Sequence, residues 1–156
     1  MKEYQNALKI MNELFAKDCQ FSLATSKDNV PSIRIVDTFY DEGSFYIVTH
    51  AKSQKVKEIN DNENVALCSK LYSFKGLAEN IGHPLKLENQ KIREKLIHAF
   101  QTWYFQHNDE NDQSMCIVRV LLQKGFFYSQ GIGYKVDFQA ESAEVFPFNF
   151  EQVELP

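Results

Sequence analysis

The chain of 156 residues predicts one domain, residues 1–156, that is mainly β with flanking α-helices: a closed antiparallel barrel of six strands. Three observations carry this. About six short runs alternate or concentrate β-branched and aromatic residues, turns rich in Asp, Asn and Gly separate them at short intervals, and only a few helices interrupt them. The length suits a single hydrophobic core. A barrel of this size fills its interior with its own side chains, so a ligand must sit outside it, against a sheet face or a subunit interface.

Taken in order, Tyr4, Ala7, Leu8, Met11, Leu14 and Phe15 recur at helical spacing and predict an amphipathic helix over residues 3–17. Residues 20–26 predict a strand, and Lys27-Asp28-Asn29 the turn after it. Residues 30–40 form the second strand, with Pro31 near its start, where a missing N–H is tolerated. Asp41-Glu42-Gly43 turns the chain into a third strand over 44–49, completing an antiparallel meander. A short helix over 53–60 turns Val56 and Ile59 inward. Strands over 65–72 and 74–81 follow, ended by Gly82-His83-Pro84. Residues 88–107 predict the longest helix, with Ile92, Leu96, Ala99, Phe100 and Trp103 on one stripe. A solvated loop over 108–112 precedes residues 115–122 and 125–129, which look like a closing hairpin. Gly131-Ile132-Gly133-Tyr134-Lys135 follows a strand instead of opening a helix, so it is no dinucleotide fingerprint and reads as a loop beside the ligand pocket.

Hydrophobic residues at 44% and aromatics at 13% argue for a folded core over disorder. A net charge of −4 makes duplex nucleic acid and anionic membrane unlike partners, although a local pocket can still be positive. Cys19, Cys68 and Cys116 form no CxxC pair and read as reduced, buried structural thiols of an intracellular protein. No apolar run approaches the roughly 20 residues of a membrane span. The amphipathic N-terminus lacks the apolar stretch of a secretory signal. A soluble, cytoplasmic protein is expected. The four histidines lack metal-ligand spacing, no metal is expected, and no nucleophile motif nominates a catalytic residue.

The stretch that carries chemistry runs from residue 32 to 58. Arg34 lies between Ile33 and Ile35, so its side chain projects to the opposite face. Thr49 ends the next strand, and Ser53 and Lys55 fall in the first turn of the following helix. That turn offers unpaired N–H groups and the positive end of the dipole, and with a hydroxyl, an ammonium and a guanidinium it makes a phosphate site. Each residue also has an ordinary reading: Ser53 as N-cap, Lys55 as a solvated helix lysine, Arg34 as a cross-strand partner of Asp37 or Glu42.

The order FSLAT, PSIRIV, FYIVTHAKSQKVKEI and NVAL resembles the FMN-binding split-barrel family related to pyridoxamine 5′-phosphate oxidase, over about residues 1–80. The resemblance implies flavin mononucleotide (FMN) as cofactor. It assigns Arg34, Ser53 and Lys55 to the phosphate, and Ile35, Val36, Val48 and Thr49 to the ring, with His50 at the same turn. Two positions depart from the family. Gln54 stands where many relatives place an arginine, and Phe39 where the oxidase proper has a lysine. These departures lower affinity or leave His50 and Lys52 to substitute. The resemblance further implies a homodimer with FMN at the interface.

The oxidase's C-terminal arginine and histidine have no counterpart after Arg119 and His107. Pyridoxamine 5′-phosphate oxidation is therefore not expected. Nitro-compound reductases and stress-related flavoproteins are the relatives nearer in size. The expected activity is an FMN-dependent oxidoreductase that exchanges a hydride with a small organic substrate, with NAD(P)H as the plausible electron source. The alternatives are a non-catalytic flavin-storage or redox-sensing protein, or the same crevice holding haem or a deazaflavin. Trp103 is core by its stripe, or a cover for the flavin edge.

Overall fold

Period-two alternation sets the strands: Phe21, Leu23 and Thr25 are buried, and Gln20, Ser22 and Ala24 between them are not. The computed structural model describes residues 1–149. Its helices are α1 (Lys2–Phe15), α2 (Gln54–Asp61), α3 (Gln90–Ala99) and α4 (Tyr104–His107). Its strands are β1 (Cys19–Lys27), β2 (Val30–Asp41), β3 (Ser44–His50), β4 (Asn64–Ser69), β5 (Tyr72–Gly82), β6 (Met115–Ser129), β7 (Ile132–Asp137) and β8 (Ser142–Pro147). They form one sheet in the order β3-β2-β1-β4-β5-β6-β7-β8, and β6 also pairs with β3. That extra pairing closes the first six strands into the expected antiparallel barrel, and β7 and β8 extend the sheet beyond it.

β6 can serve both parts because it is long. Its first half pairs with β3, from His50 opposite Met115 to Ser44 opposite Leu121. Its second half pairs with β7, from Lys124 opposite Asp137 to Ser129 opposite Ile132. Between the halves the register on β5 jumps: Lys75 faces Lys124, but Gly76 faces Leu122, so Gln123 is bulged. A side chain at Gly76 would place its Cβ 2.5 Å from the Leu121 carbonyl oxygen, so only glycine permits the approach. The expected hairpin over 115–122 and 125–129 is thus one bulged strand. The expected loop over 131–135 is largely β7, and it takes no part in the ligand crevice described below.

The barrel interior is filled by Phe21 and Leu23 of β1, Phe45 and Ile47 of β3, Leu67 of β4, Phe74 of β5 and Val118 and Val120 of β6. α1 seats Tyr4, Ala7, Met11 and Phe15 against this core. Phe15 is the plug. Its ring centroid lies 5.6 Å from Phe21, 5.8 Å from Phe45, 5.1 Å from Tyr72 and 5.6 Å from Phe74, mostly edge-on. Cys116 is buried and Cys19 half-buried, whereas Cys68 is exposed, against the expectation of burial for all three.

A second apolar cluster lies outside the barrel, where Ile92, Leu96, Phe100 and Tyr104 cover Phe39, Met115 and Ile117. The helix expected over 88–107 is not continuous. A 3₁₀ turn over Leu87–Asn89 precedes α3, and the chain leaves helical geometry after Ala99 before α4 begins. Both Phe100 and Tyr104 are fully buried. The break lets the two rings reach the cluster and leaves Trp103 packed against its edge, half-buried.

Phe15→Ala should destabilise the protein by about 3–5 kcal/mol, because the surrounding rings cannot collapse into the space. Urea denaturation monitored by circular dichroism reads this as a lowered midpoint at unchanged slope. A loss below about 1 kcal/mol would show that the plug is dispensable.

Candidate flavin crevice

Alternation on β2 turns Val36 and Tyr40 into the barrel core and leaves Ile33, Ile35, Asp37 and Phe39 on its outer face. Phe39 is covered by α3, whereas Ile33 and Ile35 stand 71% and 69% exposed. Beside them the outer wall of the barrel carries a crevice of about 260 Å³. Six of the eight residues expected at the cofactor line it: Ile35, Val36, Val48, Thr49, His50 and Lys55. Asp37, Trp103, His107 and Asn108 line it as well.

Arg34 and Ser53 do not line it; they stand behind it and are engaged elsewhere. Ser53 caps α2, accepting from the Val56 N–H at 3.5 Å and donating to the His50 carbonyl at 2.7 Å. Arg34 donates to the Thr25 hydroxyl at 2.6 Å and to Glu58 at 3.2 Å. Its carboxylate partner is therefore Glu58 of α2, and neither Asp37 nor Glu42. Glu58 is only 5% exposed and also accepts from Thr25, from Ser32 at 3.0 Å and from Gln54 at 3.2 Å. Hydrogen bonds from Thr25, Gln54, Ser32 and Arg34 push its pKa down to about 2. This buried network ties β1, β2 and α2 together and fixes where the first turn of α2 points.

Lys55 remains the cation of the crevice. Its Nζ donates to the Thr49 hydroxyl at 2.9 Å and, among the described residues, it pairs with no carboxylate. Burial, and then the nearby Arg34, lower its pKa, the signature of an ammonium short of counter-charge. Gln54 and Lys55, in the first helical turn, have no carbonyl within the helix for their N–H groups.

The opposite wall comes from α4 and the loop after it. Trp103 stacks on Phe100 with centroids 4.5 Å apart, and its Nε1 donates to Asp18 at 2.8 Å. Of the two expectations for Trp103, packing and cover, the structure shows the packing, on the outer cluster, and also places the residue in the crevice wall. The loop is anchored by a two-pronged ion pair, Arg93 to Glu110 at 2.8 and 2.9 Å, and by the Tyr104 hydroxyl donating to Glu110 at 3.1 Å. From this loop Asp112 reaches His50 at 3.6 Å, and the Ser114 carbonyl accepts from the Ala51 N–H at 2.7 Å. Asp37 could have been found from the alternation that exposes Ile33 and Ile35. His107 and Asn108 had no such signal, because no Gly or Pro marks the break that positions them.

A family model described as pyridoxamine 5′-phosphate oxidase matches residues 9–125. No match was found among curated proteins. Several solved structures share the fold. A NimC/NimA family protein from Clostridium acetobutylicum is 21% identical over 92% of this chain and 91% of its own, with a TM-score of 0.57. A FAD-binding protein from Mesorhizobium loti is 19% identical over 76% and 89%, with a TM-score of 0.57. HutZ, the heme storage protein from Vibrio cholerae, is 11% identical over 80% and 93%, with a TM-score of 0.60.

Glu58→Gln should destabilise the protein at neutral pH, because it removes the charge that three neutral donors and the Arg34 guanidinium serve. The folded-state pKa lies below the ordinary 4.5, so the stabilisation is full above 4.5 and fades as pH falls toward about 2. Melting temperatures of the two proteins, compared across that window, should converge at its acid end. A constant difference would place the effect in packing instead of charge.

Proposed function

The chain belongs to the pyridoxamine 5′-phosphate oxidase family, and from that premise we propose that it binds FMN in this crevice and works as an oxidoreductase on a small organic substrate. The observation that carries the reading is Lys55, a half-buried ammonium without a carboxylate partner among the described residues, set in the first turn of α2 after the end of β3. An FMN phosphate supplies the missing counter-charge, with Thr49 and the first N–H groups of α2 as further donors. Arg34, compensated by Glu58, holds the turn in place and lends the phosphate little net charge.

Ile35, Val36 and Val48, with Trp103 on the far wall, line the crevice and would hold the ring. The isoalloxazine supplies the hydride chemistry when bound. The chain positions it and excludes water on one side. NAD(P)H is the proposed electron source.

A volume of about 260 Å³ is below the usual range of small-molecule sites, roughly 300–1,000 Å³. The exposed Ile33 and Ile35 flank it. Together these support a homodimer in which a second copy completes the site. Pyridoxamine 5′-phosphate is not the proposed substrate, since the sequence has no arginine after Arg119 and no histidine after His107 to match the oxidase's substrate-binding pair.

Trp103 is the sole tryptophan of the chain, so its fluorescence reports on this wall alone. Titration with FMN should quench it saturably. Lys55→Ala should weaken the isotherm by about 1–3 kcal/mol, the scale of a charge-assisted hydrogen bond. Absent quenching, or equal affinity in the variant, would put the phosphate elsewhere. Flavin binding without NAD(P)H consumption, whatever the acceptor, would favour storage over catalysis.

A further inference from the structure

Where β6 leaves the barrel to meet β7 and β8, the outer face of the sheet is hollowed into a second cavity of about 470 Å³, which shares no residue with the flavin crevice. Its floor is the half-exposed ring of Phe126. That ring lies nearly parallel to Phe146, with centroids 6.1 Å apart, and Phe148 braces it edge-on at 5.2 Å. The plane is therefore fixed before any ligand arrives.

Three exposed lysines surround it. Lys75 faces Lys124 directly across β5 and β6, and Lys135 faces Phe126 across β6 and β7. Like charges directly opposite each other weaken a sheet. Among the described residues, none of the three ammonium groups has a carboxylate within 4.0 Å. Of the two acidic residues on the rim, Asp137 accepts the backbone N–H groups of Gln139 and Ala140 and so serves the turn after β7. Glu144 faces Lys135 across β7 and β8 without closing on it.

Lys135 lies over the Phe146 ring, 5.6 Å from its centroid, so the charge at the edge of the plane comes from Lys75 and Lys124. A fixed aromatic plane beside two such ammonium groups suits a ligand that is flat at one end and anionic at the other. The volume is that of a small-molecule site. A nucleic-acid strand fits less well, since a net charge of −4 and the two rim carboxylates would oppose a run of phosphates. We propose that this cavity is a second binding site, for a small phosphorylated aromatic compound of the nucleoside monophosphate class, with its ring on Phe126 and its phosphate between Lys75 and Lys124.

Calorimetric titration with adenosine 5′-monophosphate tests this. Saturable binding is expected, weakened at least about ten-fold in the double variant Lys75→Ala/Lys124→Ala. Phe126→Leu, which keeps the charges and removes the plane, should also weaken it, and adenosine or inorganic phosphate alone should bind at least about ten-fold less tightly. Lys55→Ala, in the other crevice, should leave the isotherm unchanged, so a failure of the flavin assignment would not affect this result. The proposal is overturned by no saturation up to about 10 mM nucleotide, by an unaltered isotherm in the double variant, by inorganic phosphate binding as tightly as the nucleotide, or by loss of binding in Lys55→Ala.

Discussion

The pairing of β6 with both β5 and β3 is the constraint from which the rest follows. Once β3 is satisfied along its length by Met115–Leu121, the first six strands have no free edge in the barrel. The interior is then too narrow for anything beyond side chains, and aromatic rings from β1, β3 and β5 fill it with Phe15 of α1. No room remains inside for a cofactor. The crevice is on the outer wall, where a rigid sheet can hold ligand contacts in place without moving.

On that wall, charge is divided between support and binding. The Arg34–Glu58 pair is half-buried at its arginine and buried at its acid end, which is also met by Thr25, Ser32 and Gln54. Such a pair adds little net charge, but breaking it leaves a buried ion unpaired, so it serves as a fixed strut between sheet and helix. Lys55, a few residues away on the same helix, has among the described residues a hydroxyl as partner instead of a carboxylate. The strut fixes the direction of the helix terminus, and the lysine carries the charge an anion would meet. The far wall follows the same division: Arg93, Glu110 and Tyr104 anchor a loop, and Trp103 and His107 face the crevice.

Local patterns in the sequence carried the first half of the fold well. Strong alternation in β1 to β3, turns at Asp28-Asn29 and Glu42-Gly43 with positive φ, and helical spacing in α1 each depend on neighbours a few residues apart. The order of Thr49, Ser53 and Lys55 placed the turn of the crevice for the same reason. What escaped were features set by distant partners. The bulge at Gln123 looks like a turn unless Gly76 is known to lie opposite it. Arg34 had two nearby acids as candidate partners, but its carboxylate came from α2, which packs back against β1 and β5. The helix break before Trp103 answers the burial of Phe100 and Tyr104 against β2 and β6, and no residue within the segment announces it.

On the proposed function, the outer wall between β2, β3 and α2 receives the flavin while the barrel stays closed. Backbone and indole amide chemical shifts, followed by NMR as unlabelled FMN is added to ¹⁵N-labelled protein, test it most directly. The account predicts saturable shifts at Ile35 to Asp37, Val48 to His50 and Lys55, and at the Trp103 indole N–H. Shifts confined to the Lys124 and Lys135 face, or none at all, would contradict it.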